Sequence, residues 1–256
     1  MAHPHHHHHD VGHDHGGHVT GRQNSISQEN EKAFDNHAAS FAKIPWVVKL
    51  GEQMTKELRD NVNWIRATDS AGKKGRLLDY ACGGGVATRA LAPFFEFSCG
   101  IDISSGMLKE FDRLAEEEGY TKDQMKAVRG DLLDPEGTPA PELAGPEYFG
   151  FDTTTMTTAL HHVGDVDTML RRLVERTRPG GSVLILDMVG KNREDMPEGM
   201  GVVHGGFTEE QMRSHFEKAG LGNFGWKLFQ DLVDMPADIG GPKILFLARG
   251  VKPVSS

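Results

Sequence analysis

The residue pattern predicts an α/β fold: a seven-stranded sheet, mostly parallel, with helices on both faces, an antiparallel C-terminal strand and an N-terminal helical lid. Three observations predict it. Apolar runs of strand length alternate with helical stretches from Arg76 to Ala219, as in parallel strands joined by crossover helices. The run Ser182–Met188 is apolar almost throughout, as a strand buried on both faces should be. The last two strand-like runs, Phe224–Val233 and Ile244–Arg249, have no helix between them, so they pair antiparallel.

In order along the chain, Gln28 to about Ser40 is polar and reads as a short helix. Trp46 to Ile65 is a longer one, because Val47, Leu50, Met54, Leu58, Val62 and Ile65 recur at helical spacing behind Pro45. Residues 25–70 form the expected lid and 75–256 the core of one domain. Arg76–Tyr80 is strand one, and Thr88–Phe94 a helix that stops near Pro93. Phe97–Ile101 is strand two. Ser104 to Glu118 is a helix opened by serine caps and closed by Gly119. Met125–Arg129 is strand three, and Asp134 to Glu147 a proline-rich loop. Phe151–Met156 is strand four, Val166 to Thr177 a helix and Ser182–Met188 strand five. Thr208 to Ala219 is a helix with Thr208 and Gln211 as a capping box.

The bulk composition narrows the function. With 256 residues the chain can bury a sizeable core. No apolar run reaches membrane-span length, and the start does not read as a secretory signal. Two cysteines, Cys82 and Cys99, suit a reducing compartment, so a cytoplasmic protein is expected. The formal net charge of −9, without a basic run, argues against nucleic acid as partner. The expected partner is a small molecule. Nine of the fourteen histidines lie within residues 1–18. That tract, with the rest of residues 1–24, is expected to be a disordered tail, an expression tag or a loose metal binder.

The chemistry-bearing residues fall just after the strands, where open α/β sheets bind ligands. Strand one ends in Asp79-Tyr80-Ala81-Cys82-Gly83-Gly84-Gly85, a small-residue turn leading to a helix N-terminus. Glycine lets a ligand approach the backbone, and the helix start offers free N–H groups. Asp102 and Ile103 follow strand two, with Asp102 about twenty residues past the turn, the separation at which an acid meets ribose hydroxyls. Asp131 and Leu132 follow strand three. Asp131 suits an adenine amino group, with Leu132 and Met107 against the ring. Each acid alone has a plainer reading as a cap or turn residue; the ordered set favours adenosine. Thr158 to His162 follow strand four.

These motifs resemble those of class I S-adenosylmethionine-dependent methyltransferases, and of their small-molecule and ubiquinone-biosynthesis-like members in particular. The Asp79–Gly85 turn resembles the family's first motif, with Ala81 where its first glycine usually stands. Gly100-Ile101-Asp102-Ile103-Ser104 resembles its ribose motif and Gly130-Asp131-Leu132 its adenine motif. Phe151-Asp152 through Val163, Arg178-Pro179-Gly180-Gly181-Ser182 and Phe207 through Leu221 resemble its later segments. The resemblance covers Arg76 to Arg249. It implies a Rossmann-like, doubly wound fold, S-adenosyl-L-methionine as cofactor and in-line methyl transfer to a small-molecule O, N or S nucleophile. A cofactor-binding relative without transfer activity is the alternative. Asp79, Ala81 and Gly83 would hold the methionine end, and Cys82 of the same turn is a further cofactor-binding candidate. His161 and His162 are candidate bases, with His37 and His204 as lesser ones. Phe34, Phe41 and Trp46 are candidate lid aromatics, for packing or for substrate.

Overall fold

The computed structural model describes residues 27–35, 38, 40, 43–65, 74–133, 141–190, 202–237 and 240–254. Its helices are α1 (residues 27–35), α2 (Pro45–Asp60), α3 (Val62–Ile65), α4 (Val86–Leu91), α5 (Ser105–Glu117), α6 (Val166–Arg176) and α7 (Glu209–Lys218). Its strands are β1 (Arg76–Tyr80), β2 (Phe97–Asp102), β3 (Met125–Arg129), β4 (Phe151–Thr157), β5 (Thr177–Met188), β6 (Gly222–Leu228) and β7 (Leu245–Val251). They form one seven-stranded sheet in the order β3-β2-β1-β4-β5-β7-β6. All neighbours up to β5 pair in parallel, and β7 runs antiparallel between β5 and β6.

Strand order reverses at β1. The chain steps outward from β1 to β2 and β3, then returns to β4 on the other side of β1. The connections leaving β1 and β4 therefore diverge, and a crevice opens beyond their carboxyl ends. Leu78 pairs with Cys99 on one side and Thr154 on the other, so the central strand holds both flanks in register.

Alternation along β5 explains the two-sided core. Val183 and Ile185 pack with Met169, Leu170, Leu173, Met212 and Phe216 from α6 and α7. Leu184 and Leu186 point the other way, to Leu50, Met54 and Leu58 of α2 and Ala87 and Leu91 of α4. An apolar residue at every position is required when each face carries helices. Among the described residues no helix is long and apolar enough to cross a membrane.

Several boundaries differ from expectation. The helix expected over 46–65 breaks at Asn61, whose side-chain amide turns back to donate to the Glu57 carbonyl. Strand five begins at Thr177, because Thr177 already pairs with Phe151 ahead of a bulge. The run expected as a strand to Val233 leaves the sheet after Leu228. Phe229 and Val233 there turn inward to the α2 side of the core, so their burial comes off the sheet. The expected caps are present: Ser104 accepts from Met107 N, and Thr208 and Gln211 form the capping box; Asp165 caps α6 as well, accepting from Thr168 N. The histidine-rich tract and His37 and Phe41 lie outside the described residues.

Candidate functional site

The turn leaving β1 is left-handed at three positions, Ala81 (φ 55), Gly83 (φ 52) and Gly85 (φ 79). Gly85 is the N-cap of α4, and a Cβ there would lie 2.6 Å from the Phe111 ring, so no larger residue fits. A Cβ on Gly84 would meet nothing within 4 Å, so the turn's open side is at Gly84. Ala81 adopts its conformation despite having a Cβ, at a cost of about 1 kcal/mol. Cys82 anchors the turn through its backbone N–H, which donates to the Ile101 carbonyl at 3.1 Å. Its side chain packs with Phe111 and Ala115.

Beneath the turn, Asp79 is completely buried. One carboxylate oxygen accepts from the Thr88 hydroxyl at 2.6 Å, and the other, Oδ1, has no partner. Burial pushes its pKa up to about 7, against the lowering effect of the Thr88 hydrogen bonds.

Asp102 at the end of β2 ties the neighbouring pieces together. Its Oδ2 accepts from Gly83 N at 2.8 Å and its Oδ1 from Ser104 N at 2.9 Å. The carboxylate, with about four acceptor sites, keeps acceptor capacity beyond these bonds. Burial raises its pKa, and the backbone donors of Ser104, Gly83 and Ile103 oppose that rise. Ile103 and Met107 beside it are half-buried, and the Met107 methyl is close to Gly83. After β3, Asp131 accepts from the buried Tyr80 hydroxyl at 2.9 Å and from Leu133 N at 2.8 Å. The Leu132 side chain turns into the core at 2% exposure, away from the crevice, because its backbone N–H is held by Tyr80 Oη. Asp79, Ala81, Gly83, Asp102, Ile103, Met107 and Asp131 are thus gathered around one turn. Cys82 and Leu132 contribute backbone there, and their side chains belong to the core.

Helix α1 lies across this region. Asp35 accepts from the Ser104 hydroxyl at 2.6 Å and from Gly106 N at 2.8 Å, and these bonds lower its pKa. Glu31 pairs with Arg129, and the Phe34 ring stands edge-on to His162 at 6.1 Å. Trp46 packs instead against the α2 side of the core.

A second cluster lies beyond β4 and β5. Thr158 is left-handed (φ 49), an unusual conformation for a β-branched residue and one often found at functional sites. It leads into the short turn Leu160–His162. His161 is buried, and its Nδ1 lies 2.8 Å from Oδ1 of Asp187, itself fully buried on β5. The His162 ring lies 4.1 Å from that of His161. Sequence reasoning missed Asp187. The available signal was an acid directly after the apolar run Val183–Leu186, the same signal that marked Asp79. His204 joins through its backbone N–H to the His161 carbonyl, while its ring is committed to the Val163 carbonyl and burial lowers its pKa. His215 is half-buried and pairs with Asp167 across α6 and α7. Among the described residues no group of three or more His, Cys, Asp or Glu side chains is arranged to hold a metal ion.

The chain is similar to known proteins over its sheet-forming part. Residues 78–183 match the family model described as a methyltransferase domain. An uncharacterized methyltransferase of Schizosaccharomyces pombe is 28% identical over 157 residues, which are 57% of this chain and 53% of that one. A ubiquinone biosynthesis O-methyltransferase of Bordetella avium is 30% identical over 122 residues, 48% of this chain and 46% of that one. The chain thus spans about half the length of the curated relatives it matches. Phosphoethanolamine N-methyltransferase 2 of Haemonchus contortus, solved with S-adenosyl-L-methionine, shares the fold. Its TM-score is 0.57 at 14% identity, covering 86% of this chain and 60% of that one.

Proposed function

We propose, from the class I S-adenosylmethionine-dependent methyltransferase domain that this chain carries, that it transfers a methyl group from S-adenosyl-L-methionine to a small-molecule nucleophile. The observation that carries this reading is the Asp102 carboxylate, bound to the turn through Gly83 and to α5 through Ser104 with acceptor capacity left over. Such a carboxylate suits a ribose diol, which presents two hydroxyl donors side by side.

The other residues fit the rest of the cofactor. The unpartnered Asp79 Oδ1 is a buried acceptor below the turn, suited to the ammonium of a methionine moiety, directly or through a water molecule. Ala81, Gly83 and the open face at Gly84 let that moiety approach the backbone. Asp131 is the acceptor for the adenine amino group, and Ile103 and Met107 supply apolar contact with the ring. When bound, the cofactor supplies a sulfonium methyl that a nucleophile displaces in line. The protein's part is to hold the two reactants in a near-attack arrangement, a contribution of about 7–11 kcal/mol to lowering the barrier. Helix α1, latched by Asp35, covers the cofactor and excludes water.

The acceptor then lies over the ends of β4 and β5, beside His161 and His162. A small molecule is favoured because both curated relatives are methyltransferases, one of them of ubiquinone biosynthesis, and because the chain's charge of −9 disfavours nucleic acid. Two buried, unpaired cysteines favour the cytoplasm. Titration calorimetry with S-adenosylhomocysteine, followed by incubation with methyl-labelled cofactor and a small-molecule extract, tests the reading. Micromolar binding and label in a small molecule are expected. A wild-type chain that does not bind S-adenosylhomocysteine sinks it.

A further inference from the structure

Four hydrogen bonds immobilise His161. Its ring Nδ1 and its backbone N both reach Asp187, at 2.8 Å to Oδ1 and 3.2 Å to Oδ2. Its carbonyl accepts from Val203 N at 2.9 Å and His204 N at 3.0 Å. The Asp187 carboxylate also accepts from Met188 N at 2.7 Å, on the oxygen that faces the ring. The carboxylate is acceptor to all three nitrogens, so Nδ1 carries the ring proton. A neutral imidazole protonated on Nδ1 has a bare lone pair on Nε2. The ring thus has a base at its far end and an orienting carboxylate behind it, the nucleophile–base–orienter logic with a substrate in the nucleophile's place.

The placement is equally specific. His161 follows β4, which pairs directly with β1, the strand that carries the Asp79–Gly85 turn. Asp187 is the next-to-last residue of β5, the strand on the other side of β4. Thr158, held left-handed with its N–H on the Leu186 carbonyl at 2.7 Å, bends the chain so that the His161 turn crosses back over β5. Residues that only tie strand ends together have no need of a fully buried carboxylate on an imidazole, since taking a charge out of water is costly.

Resting on the methyltransferase reading, we infer that Asp187 is a positioning residue that holds His161 as the general base, and that the methyl acceptor is a hydroxyl group, alcoholic or phenolic. A fixed base is needed when the nucleophile must lose its proton as it attacks. A phenol, with a pKa of about 10, and an alcohol, higher still, remain protonated at neutral pH. An aromatic amine is neutral at pH 7 and attacks with its own lone pair, and a thiol ionises with little help; an aliphatic ammonium, with a pKa of about 10, also needs a base and is distinguished by label appearing on nitrogen. In the step, the acceptor oxygen forms its bond to the methyl carbon while the carbon–sulfur pair returns to sulfur. The hydroxyl proton moves to Nε2 of His161. The products are a methyl ether, S-adenosylhomocysteine and an imidazolium paired with Asp187, which then releases its proton to water.

Nitrogen-15 histidine NMR on the full chain reads the tautomer without any substrate, the His161 signals being assigned by their loss in His161→Gln. Protonation on Nδ1 in the wild type, and loss of that preference in Asp187→Asn, are expected; a wild-type His161 protonated on Nε2 overturns the inference. With methyl-labelled cofactor and a fractionated small-molecule extract, label should be recovered on oxygen. His161→Gln should lower transfer about 100-fold or more. Asp187→Asn should lower kcat more than KM, and Asp187→Glu should recover part of the loss. Undiminished transfer by His161→Gln, or label on nitrogen or sulfur, overturns the inference. Absence of S-adenosylhomocysteine binding by the wild type refutes the methyltransferase reading and leaves the tautomer result standing separately.

Discussion

Gly83 N donates to Asp102 Oδ2 across 2.8 Å, so the turn after β1 and the end of β2 form one unit. With the proposed ribose contact, a carboxylate that also organises the turn has two effects when it is lost. In Asp102→Ala the Gly83 and Ser104 N–H groups lose their acceptor, at a cost of about 1–3 kcal/mol in stability. Affinity for S-adenosylhomocysteine should fall at least about tenfold, as expected for loss of a charged, two-point contact. Urea unfolding and calorimetry on the same variant measure the two effects, and unchanged affinity would refute the ribose assignment.

Ala81 stands left-handed at φ 55, where glycine is unstrained. Ala81→Gly should therefore stabilise the protein, by about 0.5–1 kcal/mol after the greater freedom of glycine in the unfolded chain is counted. A raised urea midpoint with an unchanged slope is expected, and a lowered midpoint would show that the alanine methyl contributes more packing than it costs in strain.

Asp79 has a pKa raised to about 7 by burial, against an ordinary carboxylate value of 3.8. Between those two values the folded chain holds a proton that the unfolded chain has released. This contribution to stability therefore falls as pH rises from about 4 to about 7, at up to about 1.4 kcal/mol per pH unit. Asp79→Asn should flatten that slope and be the more stable protein at pH 8. Cofactor binding through an ammonium group favours the ionised form, so binding at pH 6 should release a proton. Calorimetry in buffers of different ionisation enthalpy detects it, and buffer-independent heats would count against the Asp79 contact.

Asp35 joins α1 to the start of α5 through Ser104 and Gly106, and its pKa is lowered by those bonds. A depressed folded value means that the contact is in place above the unfolded pKa and is lost as pH falls through the folded one. The latch is therefore closed at neutral pH. Asp35→Ala should speed protease cleavage within α1 at pH 7.5 and quicken release of S-adenosylhomocysteine in stopped-flow measurements, with little change in the melting temperature of the core. Identical cleavage rates would mean that the latch adds nothing to the hold on α1.

Local residue pattern was enough for the sheet and for the acids at its carboxyl edge. Alternating apolar runs and helices, the cap at Thr208 and the acids after the first three strands are all short-range features, so the elements and their order were readable from neighbouring residues. Boundaries were less readable where burial came from distant partners. Phe229 and Val233 look like strand residues but turn to the α2 side of the core. Leu132 looked like a ring contact, yet Tyr80, 52 positions away, holds its backbone so that its side chain enters the core.

The residue types and spacings alone were sufficient to indicate a parallel α/β sheet and to place Asp79–Gly85, Asp102 and Asp131 at the carboxyl ends of its first three strands. The pairing of His161 with Asp187, 26 positions apart, required the folded chain. It depends on β4 and β5 lying side by side in one register, and on a left-handed turn at Thr158 that no propensity favours. Strand propensity acts over a few residues, whereas the partner of a buried imidazole is chosen by sheet order, which is a property of the whole chain.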